Sequence, residues 1–409
     1  MTNKEAALTI IKRLHKSGYE ALLAGGCVRD MLLGRRASDY DVATNAHPSD
    51  VIKLFRRTLK VGAKFGVVIV MLKNRKVEVA TFRTETGYVD GRRPGTVHFS
   101  NAQEDASRRD FTVNGMFYDP VKKEVIDYID GQSDLERKIL RTIGNANERF
   151  SEDYLRMLRA VRFSTQLGFE IESSTWQAIC GNAKKITKIS GERIAIEMET
   201  ILTNSDRARG MSMFLDSGLA QAIFPNLRSL QAIFGISVLM HLPKKADFAL
   251  ALASFFSDCD THFVLNECRT LKLSRNNTKH IVFLLENRGR LLDENLSLAD
   301  LKKLLAKPYF RDLFEMEKAI QKASVGGRKS ISALIKLNRR IRELGDVELQ
   351  PKPFLNGHDL IRLGAVSGPM LGRLAKELYE AQLEGKIHTP SQASGWAKQW
   401  LNRHKTNKV

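Results

Sequence analysis

The sequence predicts an α+β protein: a small mixed sheet with helices over residues 1–140, followed by an all-helical remainder to residue 409. Two observations carry this. β-Branched, strand-like runs such as "GVVIVMLKN" and "KVEVATFRT" cluster in the first part. From about residue 135 onward the apolar residues recur at helical spacing and β-branched alternation almost disappears. A chain of 409 residues is too long for one ordinary core, so two to four domains are expected. The weak points fall near 140, 205 and 290–300, which gives segments 1–140, 141–205, 206–295 and 296–409.

Taken in order, Ala6, Leu8, Ile10, Ile11 and Leu14 predict an amphipathic helix that ends at Gly18, and "EALLAG" predicts a short strand. "VRDMLLG" predicts a turn or two of helix stopped by Gly34, and "DYDVAT" a strand. "SDVIKLFRRT" predicts a helix with Ser49 as its N-cap. The two long apolar runs form a hairpin broken at Asn74-Arg75. Later helices are expected over "ERFSEDYLRMLRAVRFSTQLGF", "SSTWQAICGNAKKI", "GERIAIEMETILT", "FALALASFFS", "SLADLKKLLA" and "MLGRLAKELYEAQLEG". No internal repeat or low-complexity tract interrupts them.

Composition narrows the function classes. Hydrophobic residues at 43% and charged residues at 27% describe a folded protein. Cys27, Cys180, Cys259 and Cys268 are scattered without metal-ligand spacing and read as reduced thiols. No signal-peptide pattern and no run of membrane-spanning length is present, so a soluble cytoplasmic protein is expected. The net charge of +19 points to a polyanionic partner, most economically a nucleic acid. Residues 301–409 alone hold 21 Lys+Arg against 10 Asp+Glu. A solvated basic surface is the alternative.

Four constellations can carry chemistry. Asp39 and Asp41 lie two apart on the predicted strand and so share a face, which is what a hard divalent cation requires of two carboxylates. Glu78, whose flanking valines point the other way, is a candidate third carboxylate. Gly25 and Gly26, followed by Arg29 and Asp30, let the backbone approach a triphosphate while Arg29 reaches a phosphate oxygen. Arg108, Arg109, Asp110 and Asn114 stand together in "SRRDFTVNGMFYD", where an arginine fork suits a triphosphate or a ribose.

The fourth is "SEDYLRMLRAVRF". Asp153 and Arg156, at i and i+3, are expected on one helix face. The carboxylate can accept from the exocyclic amine of cytosine or adenine, and the arginine can donate to the adjacent ring nitrogen. Uracil and guanine present the opposite pattern, so this pair could select C and A. Each constellation also has an ordinary structural reading: a solvent-facing D-x-D, a tight turn, a surface basic pair, an intrahelical ion pair.

Together the motifs resemble a known family. "GGCVRDMLLG…SDYD", "GYVDGRRPG", "RRDFTVNG", "DYIDG", "RFSEDYLRMLRAVRF" and "GERIAIEM" occur in the order seen in bacterial-type (class II) CCA-adding tRNA nucleotidyltransferases, whose head and neck bacterial poly(A) polymerases share. The resemblance is close over roughly residues 20–200. It implies a seahorse-shaped molecule with a polymerase-β-type nucleotidyltransferase head (1–140), a neck (141–205), a body (206–295) and a basic, tRNA-binding tail (296–409). It further implies that Gly26 and Arg29 contact the triphosphate, that Asp39 and Asp41 hold Mg²⁺, and that Glu78 is the third carboxylate. Arg109, within "RRDFTVNG" with Asp110 and Asn114, contacts the nucleotide; Asp153 and Arg156 read the base, supported by Arg159 and Arg162. "TETGYVDGRRPG" (84–95) matches the family's flexible loop at full length, which implies competence to add the terminal A. Two departures stand out: Gly115 replaces a commoner alanine or serine, and "DYIDG" replaces a Pro-containing version.

The activity implied is template-independent addition of C and A from CTP and ATP to a tRNA 3′ end, with the tail holding the acceptor arm or elbow. The rival within the superfamily is a poly(A) polymerase or A-adding enzyme. A rival of another class is a catalytically inactive RNA-binding module, which would lack an aspartate or arginine that this chain retains. A His-Asp phosphohydrolase activity is disfavoured, because His241 and His358-Asp359 stand apart from any H…HD cluster.

Overall fold

A computed structural model of the chain describes residues 1–60, 62–86, 96–326, 328–345 and 347–405. It forms two compact units, residues 1–236 with 265–274 and residues 237–264 with 275–409. The first unit opens with α1 (Asn3–Lys16), whose N-cap Thr2 forms a capping box with Glu5. There follow β1 (Ala21–Ala24), α2 (Gly26–Leu32), β2 (Asp41–Thr44), α3 (Pro48–Leu54), β3 (Thr58–Leu59), β4 (Val67–Leu72) and β5 (Arg75–Thr81). The hairpin β6 (Arg83–Thr86) and β7 (Thr96–Phe99) precedes α4 (Ala102–Ser107), β8 (Phe117–Asp119), β9 (Glu124–Ile126) and α5 (Gly131–Arg137). Seven strands make one mixed sheet in the order β3-β4-β5-β2-β1-β8-β9; only β2 and β5 run parallel.

The two faces of this sheet have different jobs. Leu23, Val42, Val77 and Val79 alternate onto the face covered by α1 and α3 and are buried there. The other face carries Ala24, Ala43 and Ala80, whose small side chains leave depth above the strands. Register sets the chemistry on that face. Ala24 pairs with Asp41, and Val42 pairs with Val79 in parallel. Asp41 and Glu78, one residue earlier on each strand, therefore emerge side by side.

Three local expectations are corrected. The helix read from "SDVIKLFRRT" is capped by His47 with Pro48 in its first turn, not by Ser49; the fixed φ of proline and its missing N–H suit that position. The β4–β5 hairpin turns at Lys73-Asn74, both with positive φ (41° and 63°), one residue before the predicted break. Asp39 lies outside β2. Pairing with β1 ends at Ala24↔Asp41, because the chain leaves the sheet at Gly25, and the ladder to β5 begins only at Val42↔Val79, so Asp39 is paired on neither side. Of the segment 84–95, residues 87–95 lie outside the described residues.

The remainder of this unit comprises β10 (Ile139–Leu140), α6 (Ala146–Glu152), α7 (Leu155–Leu167), β11 (Glu170–Ile171), α8 (Ser173–Asn182), α9 (Gly191–Leu202), α10 (Arg207–Asp216), α11 (Leu219–Ile223) and the start of α12 (Ser229–Met240). A fourth correction falls here: the helix expected across residues 148–169 is two helices. Asp153 adopts an extended backbone (φ −151°, ψ 103°), and its carboxylate accepts from the Leu155 N–H at 3.1 Å. That side-chain bond competes with helix continuation and starts α7 afresh.

The two departures from the family's sequence pattern meet in space. A Cβ at Gly115 would lie 2.4 Å from Cδ1 of Ile129, in "DYIDG", and 3.0 Å from Cδ1 of Ile143. The missing side chain at 115 makes room for Ile129. Gly115→Ala is expected to cost about 1–2 kcal/mol, with most of the loss restored by adding Ile129→Val, which removes the clashing methyl. Thermal unfolding of the single and double variants checks this; equal destabilisation in both would show that the Ile129 contact is not the cause.

The second unit contains the rest of α12, then α13 (Phe248–Phe255), α14 (Thr261–Thr270, partly in the first unit), α15 (Arg275–Glu286), α16 (Leu298–Leu305), α17 (Phe310–Ala323) and α18 (Arg328–Glu343). It ends in α19 (Gly357–Arg362), α20 (Pro369–Leu383) and α21 (Pro390–Lys405), which share a core built on Leu360, Leu374, Leu378, Trp400 and Leu401. No helix among the described residues is long and apolar enough to cross a membrane.

Candidate active site

A cleft of 490 Å³ lies over the alanine face of the sheet. Its lining gathers nearly all the residues singled out in the sequence: Gly25, Gly26, Arg29, Asp41, Glu78, Arg109, Asp110, Asn114, Asp153, Arg156 and Arg159. Asp39 and Arg162 are not in the lining. Seven arginines face four carboxylates across the lining, an excess of positive charge suited to a polyphosphate.

At one end stand the carboxylates. Partial desolvation against the cleft wall and the neighbouring Glu78 charge push the Asp41 carboxyl up to about 6, although the residue keeps an exposed edge, with Arg109 opposing the effect and Asp39 adding to it. Asp39 is itself exposed and its carboxylate accepts from Ser38 Oγ at 3.0 Å. Like charges held this close form a site whose proton a hard cation could replace. Cation binding must then compete with protonation, so apparent Mg²⁺ or Mn²⁺ affinity is expected to fall about tenfold per pH unit below pH 6. Titrating metal-dependent activity at pH 5, 6 and 7 tests this; a flat metal requirement would place the cation elsewhere.

At the turn between β1 and α2, Gly25 has φ +71°, and a Cβ there would lie 3.0 Å from Nη1 of Arg109. Glycine thus keeps both the turn and the arginine's approach. Arg29 is buried and held on two sides: Nη1 donates to Asn114 Oδ1 at 2.6 Å, while Nε and Nη2 donate to Asp30 Oδ1 at 2.9 and 2.7 Å. Arg109 is fixed by Asp105, to which Nε and Nη2 donate at 3.2 and 3.0 Å, and its guanidinium lies 4.9 Å from the Phe117 ring centroid. Burial raises the Asp105 carboxyl, but Arg109 and Arg108 outweigh it and leave the group below its usual range.

A second network joins the sheet domain to α7. Asp110 accepts from Arg159 Nε and Nη2 at 3.0 and 2.6 Å and from the Phe111 N–H at 2.9 Å. Burial opposes the ionised form of Asp110, yet the Arg159 charge keeps its carboxyl below the ordinary value. Arg162 pairs with Glu197 on α9 at 2.7 Å. Phe163 sits among these cations: Arg162, Arg159 and Arg29 lie 4.0, 5.3 and 5.5 Å from its ring centroid. Asp110, Asn114 and Phe163 thus hold the arginines that face the cleft.

The pair expected to read the base, Asp153 and Arg156, stands differently from the expectation. Asp153 occupies the break between α6 and α7 instead of sharing a helix face with Arg156. Its carboxylate accepts from Arg193 Nη2 and Nη1 at 2.7 and 3.3 Å. Arg156 pairs with Glu152 and donates to the Arg149 carbonyl at 3.0 Å. Both side chains still line the cleft. Arg83, Arg193 and Phe163 line it as well, and the site-residue reading of the sequence missed them. Arg193 lies in "GERI", where the motif marked a helix start without identifying its partner forty residues earlier.

Comparison with known proteins gives the following. A family model described as the poly A polymerase head domain matches residues 21–141, and one described as a probable RNA and SrmB-binding site of polymerase A matches residues 168–230. The CCA-adding enzyme of Lactobacillus johnsonii is 34% identical over 392 residues, covering 93% of this chain and 94% of that protein. The CCA-adding enzyme of Geobacillus kaustophilus is 46% identical over 216 residues, 53% of each. The crystal structure of the Bacillus stearothermophilus CCA-adding enzyme in complex with CTP superposes with a TM-score of 0.80 at 30% identity over 100% of both chains. The Thermotoga maritima CCA-adding enzyme complexed with tRNA shares the fold, with a TM-score of 0.68 at 20% identity over 97% of this chain and 95% of that one.

Proposed function

Since this chain belongs to the family of CCA-adding enzymes, we propose that it adds C and A from CTP and ATP to the 3′ end of tRNA, using Mg²⁺ and the cleft over the alanine face. The observation that carries this reading is the convergence, on one cleft, of paired carboxylates, a group of oriented arginines and an Asp/Arg pair able to read a base edge.

Asp41 and Glu78, with Asp39 beside them, would hold the cation, and the raised Asp41 carboxyl fits a site that gains by binding one. Bound there, Mg²⁺ supplies neutralisation of charge on the phosphates and activation of the attacking hydroxyl. Arg29 and Arg109, locked by Asp30, Asn114 and Asp105, orient the triphosphate so that its α-phosphate meets the RNA 3′-hydroxyl. Attack forms the new phosphodiester and expels pyrophosphate, whose charge the same arginines stabilise. Asp153 accepts from the exocyclic amine of C or A, and Arg156 donates to the ring nitrogen beside it. The protein thereby replaces a nucleic-acid template. The segment 141–205 acts as the nucleotide-selecting neck.

Within residues 296–409, a groove of 440 Å³ between α17 and α18 is rimmed by Lys318, Lys322, Arg339 and Arg342 and suits RNA phosphates. The activity belongs to the cytoplasm, where its substrates are.

The deciding assay gives purified protein, Mg²⁺, CTP and ATP, singly and together, to tRNA transcripts ending before CCA, after C and after CC. Ordered addition of C, C and A that then stops is the expected result. Unlimited A tails on unstructured RNA would establish a poly(A) polymerase instead, and no incorporation an inactive RNA-binding module.

A further inference from the structure

We propose that the second unit carries a divalent-cation site of its own, formed by His280, Asp247 and Asp312, that takes a zinc-like metal and ties three helices together. Asp247 caps α13, His280 lies on α15 and Asp312 in the first turn of α17. One ligand atom from each lies within 4.8 Å of the others. In sequence they are separated by 33 and 32 residues, so no spacing motif announces them.

His280 is 7% exposed, and its buried Nε2 makes no hydrogen bond. Yet an Asp312 carboxylate oxygen stands 3.1 Å from that nitrogen. Neighbouring ligands bonded at about 2.0–2.1 Å in a tetrahedral or octahedral shell lie about 2.8–3.4 Å from one another. The two atoms are thus spaced as neighbours in one coordination shell, without the alignment of a donor and its acceptor.

The supporting contacts fit this reading. Asp247 uses one oxygen to accept from the Leu250 N–H at 2.8 Å; its other oxygen lies 3.9 Å from Nδ1, the second ring nitrogen, and would swing toward the Nε2 side to join the shell. The imidazole stacks on Tyr309, with centroids 4.0 Å apart and planes at 14°, so its rotation is restrained. The exposed Asp247 side leaves room for water to complete the coordination. One imidazole with two carboxylates is a borderline donor set, suited to Zn²⁺ or Co²⁺ and poorly to Mg²⁺, which prefers all-oxygen shells. A single histidine also distinguishes it from a His-Asp hydrolase centre, and ligands drawn from α13, α15 and α17 give a bound metal the role of a tie between helices.

The test uses full-length protein carrying Asp39→Asn, Asp41→Asn and Glu78→Gln, so that the sheet-domain carboxylates bind no metal, and titrates Zn²⁺ by calorimetry. His280→Gln and Asp247→Asn are then added separately; asparagine preserves the α13 cap if the histidine variant fails to fold. One saturable Zn²⁺ site is expected, weakened about tenfold or more by either substitution. Saturating Zn²⁺ should raise the melting temperature by about 3–5 °C in the parent only, and Co²⁺ should give a visible d–d band that both substitutions abolish. No saturable binding in the parent, or binding and spectra unchanged by both substitutions, overturns the proposal and leaves the cluster as an ion-pair group.

Discussion

Asp41→Ala is expected to lower nucleotide transfer about 10³-fold or more while leaving tRNA affinity within about twofold. The size of the effect follows from position. Asp41 is the first residue of β2, side by side with Glu78 through the parallel register, and its carboxyl is already raised to about 6 by burial and by that neighbour. Alanine removes the repulsion that a cation would relieve, and with it the reason for a cation to sit there. Nothing in the α17–α18 groove depends on this residue, so RNA binding should persist. Single-turnover incorporation of labelled CTP and ATP, beside filter binding of tRNA, separates the two. Equal loss of binding and transfer would make Asp41 a structural residue.

Arg156→Ala is expected to relax base choice. Removing one hydrogen-bonding partner from a base-reading pair forfeits discrimination of about 1–3 kcal/mol, or roughly 10–100-fold in relative kcat/KM for CTP over UTP. KM should change little, because the arginines proposed to hold the triphosphate, Arg29 and Arg109, are fixed by separate networks. Competition assays with CTP, UTP, ATP and GTP measure the ratio. Unchanged selectivity with a raised KM would assign Arg156 to phosphate binding. The structure adds a companion: Arg193→Ala, which frees the Asp153 carboxylate, should relax selectivity in the same direction.

The helical stretches and the strands of the sheet follow from their own periodicities. α16 falls within its predicted segment and α20 starts one residue before its own, at Pro369, because an apolar stripe repeating at 3.6 residues has one way to be buried; α13, also within its segment, is buried on every side. Glu78 stands out between two valines because strand alternation fixes its face. What local patterns missed was set by partners distant in sequence. Asp39 is in no strand because β1 turns away at Gly25 and the β5 ladder begins only at Val42. The helix around Asp153 breaks because a carboxylate that can bond its own backbone also has Arg193 to hold it. Gly115 is explained by Ile129 and Ile143, which no local window relates to it.

By itself, then, the sequence determined the order of the elements, the face on which the carboxylates stand and the excess of positive charge, because those depend on residue type and period alone. The tertiary structure decided where β2 begins, which arginine holds Asp153, and that His280 meets two aspartates from other helices. Each of these is settled by which backbone or charge is available across space, and that becomes defined only when the chain has packed.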